Sequence, residues 1–193
     1  MRLTKEDKTA LKTRMLREAL PALKTMGSHG APVDKIMRRA GVTSGALYSH
    51  FKSKDDFFAK SILHELDAMA EKYTGRVAKH GAKTLEMLVE NYLDERHIDG
   101  VEQGCLFVSL GADMHRFKPA VRAQFEEKIT ALFRVLADAL PKGTPAARYD
   151  KVSFIFASLA GTLLFARNMK NRDTARDLFT TTRHQLLHFL KKE

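Results

Sequence analysis

The spacing of apolar residues is the feature that most narrows the fold of this chain, because they recur three and four positions apart almost throughout. That spacing places apolar side chains on one face of a helix, whereas a strand needs them at alternate positions. No convincing strand run interrupts the pattern. We therefore predict an all-α protein of about nine helices.

The composition is that of a folded chain. Hydrophobic residues make up 44% of the 193 residues, with 12 Phe but only 11 Gly and 5 Pro, so the chain is neither disordered nor of low complexity. The single cysteine excludes an internal disulfide and fits a reducing compartment. The N-terminal residues lack the apolar segment of a signal peptide, and no apolar run approaches the roughly 18 residues of a membrane span. We expect a cytoplasmic protein with no membrane partner.

Basic side chains are concentrated in the first third of the chain. The net charge is +10, from 33 Lys and Arg against 23 Asp and Glu, and residues 1–60 alone hold 13 basic and 6 acidic side chains. A localised basic excess suits phosphate binding, although a solvated cationic surface would give the same count. The charge therefore favours nucleic acid as a partner without deciding it.

Residues typical of helix ends divide the chain. Thr4 is a plausible N-cap with Asp7 three residues on, Pro21 should kink or locally disturb the first helix, and Gly27 to Gly30 should end it. Pro32 suits the first position of a short second helix. Further helices are predicted at about 54–77, 82–96, 104–116, 119–140, 145–170 and 173–191. We expect two domains, 1–53 and 54–193.

The segment after the second helix predicts a helix-turn-helix. Gly41 can take the left-handed conformation that ends one helix, and Thr43 can cap the next after a turn of only a few residues. Leu47 and Phe51 should pack inward, leaving Tyr48 more exposed.

Hydroxyl and basic groups surround the predicted third helix in a way that suits DNA. Hydroxyls at its N-terminus lie where phosphate is favoured, and Tyr48 and His50 could donate to phosphates from neighbouring flanks. The predicted DNA-binding residues are Thr43, Ser44, Gly45, Ala46, Tyr48, Ser49, His50, Lys52 and Lys54. The alternative is a structural helical hairpin in which Tyr48 and His50 only cap or pack.

Residues 33–57, and above all the run IMRRAGVTSGALYSHFKSK at 36–54, closely resemble the N-terminal domain of TetR-family transcriptional regulators. The resemblance covers roughly residues 4–60, and the chain length and helical remainder agree with it. It implies a homodimer with a three-helix DNA-binding domain, a variable ligand-binding domain, and usually repression relieved by a small molecule. Positions that commonly touch DNA in the family match Thr43, Ser44, Gly45, Tyr48, His50 and Lys54. The chain departs from the family at Pro21 and at Ala31, where a Thr or Ser cap is frequent.

The last two predicted helices suit a dimer interface. Residues 145–170 are apolar on more than one side and carry the small residues Ala157, Ser158, Ala160 and Gly161, which let another helix approach closely. A four-helix interface between two copies, as in the family, fits this pattern. A monomeric core is the alternative, but one recognition helix alone reads too little DNA.

The control signal has two candidate sites. Cys105 follows a glycine at the start of a predicted helix, where a thiolate is favoured and could sense oxidants or electrophiles, although free cysteine is usually a small buried hydrophobe. A pocket between helices is the other candidate, although aromatic and Met side chains at helical spacing are more often core. The candidate effector-binding residues are Met69, Tyr73, Tyr92, Cys105, Phe107, Met114, Phe117, Phe125 and Phe156.

The sequence therefore predicts a ligand- or redox-responsive transcriptional regulator, with activator and repressor both open. We expect no enzymatic activity, cofactor or metal site, because nucleophile elbow and phosphate-binding glycine loop are absent and His184 and His188 lack a third ligand. An all-helical enzyme or small-molecule carrier with an incidental basic face is the alternative. A helix-turn-helix protein that organises DNA non-specifically is a third possibility.

Overall fold

The computed structural model describes residues 4–191, and all regular secondary structure in that range is helical. The ten helices are α1 (Lys5–Gly30), α2 (Val33–Arg39), α3 (Ala46–His50), α4 (Lys54–His80), α5 (Lys83–Tyr92), α6 (Arg96–Asp99), α7 (Leu106–Arg116), α8 (Pro119–Asp138), α9 (Pro145–Asn168) and α10 (Arg172–Lys191). The predicted all-α fold is confirmed. There is one helix more than expected, because the predicted helix at 82–96 ends early, at Tyr92, and a short additional helix, α6, follows it from Arg96.

Helix α1 begins where the sequence predicts. The Thr4 hydroxyl oxygen accepts from the Asp7 backbone N–H at 3.1 Å, and the Asp7 carboxylate accepts from the Thr4 N–H at 3.0 Å. This reciprocal pair closes the capping box, and the bonds to Thr4 lower the pKa of Asp7.

The kink expected at Pro21 is absent, and α1 is interrupted at Gly27, the first residue of the segment predicted to end it. Gly27 has φ 69° and ψ 175° and is the only residue within α1 whose dihedral angles are not helical. Pro21 fixes a φ that a helix accepts, whereas a left-handed φ is strained for any residue with a Cβ. The chain therefore breaks at its glycine. Pro32 is also shifted from its predicted place, since it is the N-cap of α2 rather than its first residue, and it makes no side-chain capping bond.

Two hydrophobic cores share helix α4. The first joins α1, α2 and α3 to α4 and continues into α7 and α8, with Leu47, Phe57 and Phe58 fully buried. The second joins the end of α4, from Tyr73, to α5, α8, α9 and α10. The N-terminal helices therefore pack directly on the helices that follow them.

Helix α9 has the length and apolar composition of a membrane span, which the sequence reading of apolar runs did not anticipate. In the fold, 44% of its most apolar window is buried. The buried side contacts α8 and α10. The other side is the apolar face described below.

Glycine 104 provides a test of this packing. A Cβ on Gly104 would lie 2.8 Å from the carbonyl oxygen of Gly100 and against the Arg167 guanidinium. We expect Gly104→Ala to lower the free energy of unfolding by about 1–3 kcal/mol, the range of overpacked cores.

Gly111→Ala is the matched control, because nothing lies within 4 Å of a Cβ at this exposed position in α7. Replacing a helical glycine by alanine should raise stability there by roughly 0.5–1 kcal/mol. Urea unfolding of both variants measures the difference, and equal effects would contradict the packing described around Gly104.

Candidate DNA-binding surface and effector site

The turn between α2 and α3 is built on a left-handed glycine. Gly41 has φ 74°, and its N–H donates to the Arg38 carbonyl at 3.0 Å while the Val42 N–H donates to the Met37 carbonyl at 3.0 Å. These bonds satisfy carbonyls at the end of α2 that would otherwise lack partners. The predicted helix-turn-helix is therefore present.

The N-cap of helix α3 lies two residues later than predicted. Its N-cap is Gly45, with no side-chain capping bond, so the prediction that the Thr43 side chain caps α3 is wrong. The Thr43 carbonyl instead accepts from the Ala46 N–H at 3.0 Å, forming a tight turn that leads into the helix. The Ser44 hydroxyl donates to the Asp34 carboxylate and so ties the start of α3 to α2.

Side chains of α3 divide into a buried and an exposed set. Leu47 is fully buried and Phe51, which follows the helix, is buried against Phe57 with ring centroids 4.8 Å apart. Tyr48 is 72% exposed and Ser49 is exposed, while His50 is half-buried. The fold therefore presents one face of α3 to solvent, as the DNA-binding prediction requires.

The side chains of the two lysines after α3 differ in how far the fold restrains them. Lys52 is exposed, and its backbone N–H is bonded to the Asp56 carboxylate at 2.9 Å. The Lys54 ammonium donates to the His29 carbonyl at 3.3 Å and lies 5.3 Å from the centre of the Phe58 ring. Lys54 is held in place by the end of α1, whereas the Lys52 side chain projects into solvent.

The fold also brings basic residues of α1 to this surface. The Lys12 ammonium lies 5.7 Å from the centre of the Phe51 ring. The Arg14 guanidinium lies 3.4 Å from the position a Cβ would take on Gly41, at the turn. Sequence reasoning missed both residues, because only tertiary packing places α1 beside the helix-turn-helix, and the local charge count was the one available signal.

The nine candidate effector residues are spread over several places. Met69 and Phe107 border the first core, and Phe156 packs on Phe133 with ring centroids 4.7 Å apart. Met114 and Phe125 line an open groove of about 430 Å³, and Phe117 lines a separate groove of about 550 Å³ between α1, α4 and α7. Tyr73, Tyr92 and Cys105 come together at the second core.

Cys105 lies in a compartment with two tyrosines. The buried Tyr92 hydroxyl has no hydrogen-bond partner among the described residues, and the Cys105 thiol, Arg167 and Tyr73 are the polar groups that interact with it. Burial raises the pKa of both Tyr73 and Tyr92. The His97 ring meets Tyr92 edge-on at 4.6 Å, and burial lowers the pKa of His97. Tyr73, Tyr92 and His97 are therefore uncharged at neutral pH.

Arg167 of α9 is a positive charge that interacts with this thiol. Its guanidinium donates to the Ser109 hydroxyl at 3.2 Å and to the His97 carbonyl at 3.0 Å, and it lies against Gly104. No carboxylate within residues 4–191 pairs with it, its Nε has no hydrogen-bond partner, and burial lowers its pKa. An anion formed at Cys105 would therefore meet an uncompensated cation.

The outer side of α9 and α10 is apolar and open. Phe165 is 65% exposed and Phe154 is 53% exposed, with Phe189 stacked edge-on against Phe154 at 5.2 Å. Ala157, Ser158 and Gly161 line a groove of about 500 Å³ between the two helices. Large exposed aromatic side chains around small residues are typical of a helix-packing interface.

His184 and His188 lie on α10 with parallel rings whose centroids are 6.4 Å apart. Both are exposed. Among the residues that the structure describes, no group of three or more His, Cys, Asp or Glu could hold a metal ion.

Residues 16–60 match the family model described as bacterial regulatory proteins of the tetR family. A TetR transcriptional regulator from Legionella pneumophila is 15% identical, with a TM-score of 0.74 over 99% of this chain and 100% of the other. The reduced form of E. coli NemR is 16% identical, with a TM-score of 0.73 over 91% and 96% of the two chains. FadR from Bacillus subtilis in complex with stearoyl-CoA is 17% identical, with a TM-score of 0.66 over 93% and 97%. The helix-turn-helix segment therefore matches the tetR family model over residues 16–60, and the chain shares the fold of TetR transcriptional regulators along its length.

Proposed function

We propose that this DNA-binding regulator is a homodimeric repressor that binds a palindromic operator and is released from it by a small-molecule or an oxidant or electrophile signal. The observation that carries the proposal is the exposed face of α3, with Tyr48 at its centre and basic residues on both sides. Regulators of this family are typically non-enzymatic, and we propose neither an enzymatic activity nor a cofactor. Its place of action is the cytoplasm, where the operator DNA lies.

The proposed DNA contacts are the nine residues predicted from the sequence, joined by Lys12 and Arg14. Tyr48, Ser49 and Lys52 are solvent-exposed and free to approach DNA, with Tyr48 and Lys52 suited to phosphate. Residues 1–53 form the proposed DNA-binding domain, and residues 54–193 the effector-binding and dimerisation domain.

Dimerisation through α9 and α10 follows from the open apolar face. Pairing two copies would cover Phe154 and Phe165, and Gly161 would allow close approach of the helices. A dimer places two copies of α3 on successive major-groove faces, which gives a palindromic site its half-site spacing.

Cys105 is the proposed site of the redox or electrophile signal. Oxidation by a peroxide would form an S–O bond at the thiolate and break the O–O bond, releasing water and leaving a sulfenate. Arg167 would stabilise that anion. Among the similar proteins, NemR is described in a reduced form and FadR with stearoyl-CoA, so a redox state and an acyl ligand both have precedent in this fold.

DNA contact predicts separate effects for two substitutions. Tyr48→Ala should weaken binding to DNA carrying the operator about 5- to 50-fold with little loss of stability, because the side chain is 72% exposed. Lys52→Ala should weaken binding to all sequences and reduce the salt slope of log K by about 1. Fluorescence polarisation against DNA flanking the gene, over a range of salt concentrations, measures both.

Lys170→Ala is the control for the lysine substitution, since Lys170 is equally exposed but lies beyond the end of α9. It should leave both affinity and salt slope unchanged. A wild-type protein that binds flanking DNA no more tightly than random DNA would contradict the operator proposal and favour a non-specific DNA organiser.

The dimer prediction uses two exposed apolar residues. Phe165→Asp should convert the dimer to monomer because it would bury a carboxylate in the interface, whereas Met26→Asp should leave the dimer intact, since Met26, 54% exposed, lies on α1. Sedimentation velocity reads the oligomeric state, and thermal melting checks the fold. A folded Phe165→Asp protein that sediments like the wild type would contradict this interface.

The Cys105 prediction rests on the single thiol in the chain. Stoichiometric alkylation with N-ethylmaleimide or oxidation with hydrogen peroxide should lower operator affinity at least about tenfold, roughly 1.4 kcal/mol. Cys105→Ser should bind the operator normally and ignore both reagents. Mass spectrometry confirms the modification. A fully modified wild type that still binds the operator would contradict the sensor role, as would a Cys105→Ser protein that the reagents still release. Either result would leave a pocket ligand as the signal.

A further inference from the structure

A buried carboxylate of α7 holds the point where α1 breaks. Asp113 Oδ2 accepts from the backbone N–H of Ser28 at 2.7 Å, across 85 residues of sequence. The carboxylate is buried, and its other oxygen lies 3.4 Å from the Arg116 guanidinium. Because a buried carboxylate without partners is costly, this pairing is a built contact between the body and the DNA-binding helices.

The conformation of Gly27 is matched to this contact. Its positive φ interrupts the helical ladder of α1 just before Ser28, so that the Ser28 N–H is donated to α7. A Cβ on Gly27 would lie 2.9 Å from Asp113 Oδ2. The Asp113 carboxylate thus occupies the space that a side chain on Gly27 would need. We call the contact of Gly27 and Ser28 with Asp113 the α1–α7 clasp.

Two further contacts fix the same end of α1. The Lys24 ammonium, almost fully buried, lies 3.4 Å from the Glu65 carboxylate of α4. The Lys54 ammonium, at the start of α4, donates to the His29 carbonyl at 3.3 Å. Helix α4 thus holds the end of α1 through these two contacts, and α7 holds it through the hydrogen bond from the Ser28 N–H to Asp113.

Helix α7 joins this point to the rest of the body. Cys105 immediately precedes α7, and Asp113 lies eight residues further along, a distance of about 12 Å at 1.5 Å per residue. The same helix packs against α1 and against α9, which carries Arg167 and the apolar face. A displacement of α7 relative to α9 would therefore be passed to the Ser28 backbone.

We infer that Asp113 is the positioning residue through which the body sets the orientation of the DNA-binding helices, and hence the spacing of the two α3 helices in the dimer. The inference rests on the proposed binding of a palindromic operator and adds the contact that orients the domain for it. The inference requires the clasp to be more stable in the DNA-bound state than in the released state. Coupling between two sites needs a contact whose free energy differs between the two states.

The test separates specific from non-specific DNA binding. Asp113→Ala removes the acceptor, so the affinity for the operator should fall about tenfold as spacing is lost, while the affinity for random DNA stays within about twofold, because it depends on charge and not on spacing. Asp113→Asn keeps an oxygen that can accept from Ser28 and should stay within about threefold of wild type. Arg116→Ala leaves the Ser28 bond intact and is the matched control.

Amide hydrogen exchange of the wild-type protein tests the clasp without depending on whether a variant folds. The Ser28 amide should exchange at least about tenfold more slowly than in an unstructured chain, and Asp113→Ala should abolish that protection while α4 amides stay protected. Exchange of Ser28 at the unstructured rate in the wild type would overturn the inference, as would an Asp113→Ala protein whose operator affinity is unchanged or falls in parallel with its affinity for random DNA. A wild type that binds no operator but protects Ser28 would refute the proposed function while leaving the clasp in place.

Discussion

The sharing of α4 between two cores is the constraint on which the rest of the structure depends. Phe57, Phe58 and Ile62 at one end are buried among the DNA-binding helices, and Tyr73 further along is buried among the helices of the body. A helix packed at both ends transmits displacement as a rigid element, because close-packed interiors deform little. The DNA-binding helices therefore cannot reorient without some change in the body, which is the physical basis for control by a distant signal.

The two cores also explain why polar contacts lie where they do. Asp113 of α7 bonds to the Ser28 N–H, and Glu65 of α4 pairs with Lys24 one turn earlier in α1, so both polar contacts lie at the seam where the first core passes from α1 to its neighbours. Apolar contacts alone are non-directional and would let the helices slide, whereas a charged hydrogen bond to a backbone N–H fixes one position. The seam thus combines apolar packing, which gives stability, with a few bonds that give orientation.

Local signals in the sequence predicted most of the fold. The capping box at Thr4, the turn at Gly41 and the start of α9 after Thr144 are each formed by residues close in the chain, and each was predicted where it occurs. The break of α1 at Gly27 was also predicted, but the contact that Asp113 makes there was missed because Asp113 lies 86 positions further along the chain. Lys12 and Arg14 were missed for the same reason, since only the packing of α1 brings them to the turn.

The candidate effector residues show the same limit more strongly. Helical spacing identified Met69, Phe107 and Phe156 as apolar, but whether an apolar side chain lines a pocket or fills a core depends on which helices meet there. Cys105 gained partners that no spacing could reveal, since Tyr92 lies 13 residues before it and Arg167 lies 62 residues after it. The compartment becomes visible only when α5, α7 and α9 are packed together.

The distribution of charge and the geometry of α3 contribute differently to DNA recognition, the first to affinity and the second to discrimination among sites. Basic residues concentrated in residues 1–60 supply phosphate affinity and rapid encounter, which depend little on sequence. The exposed face of α3 is short, and the hydroxyl of Ser44, just before the helix, is already bonded to Asp34, so few side chains remain to read bases. Discrimination among sites must then depend strongly on the spacing of two copies of α3. For such a protein, a signal that shifts the spacing by a small amount is sufficient to release specific DNA while non-specific affinity persists.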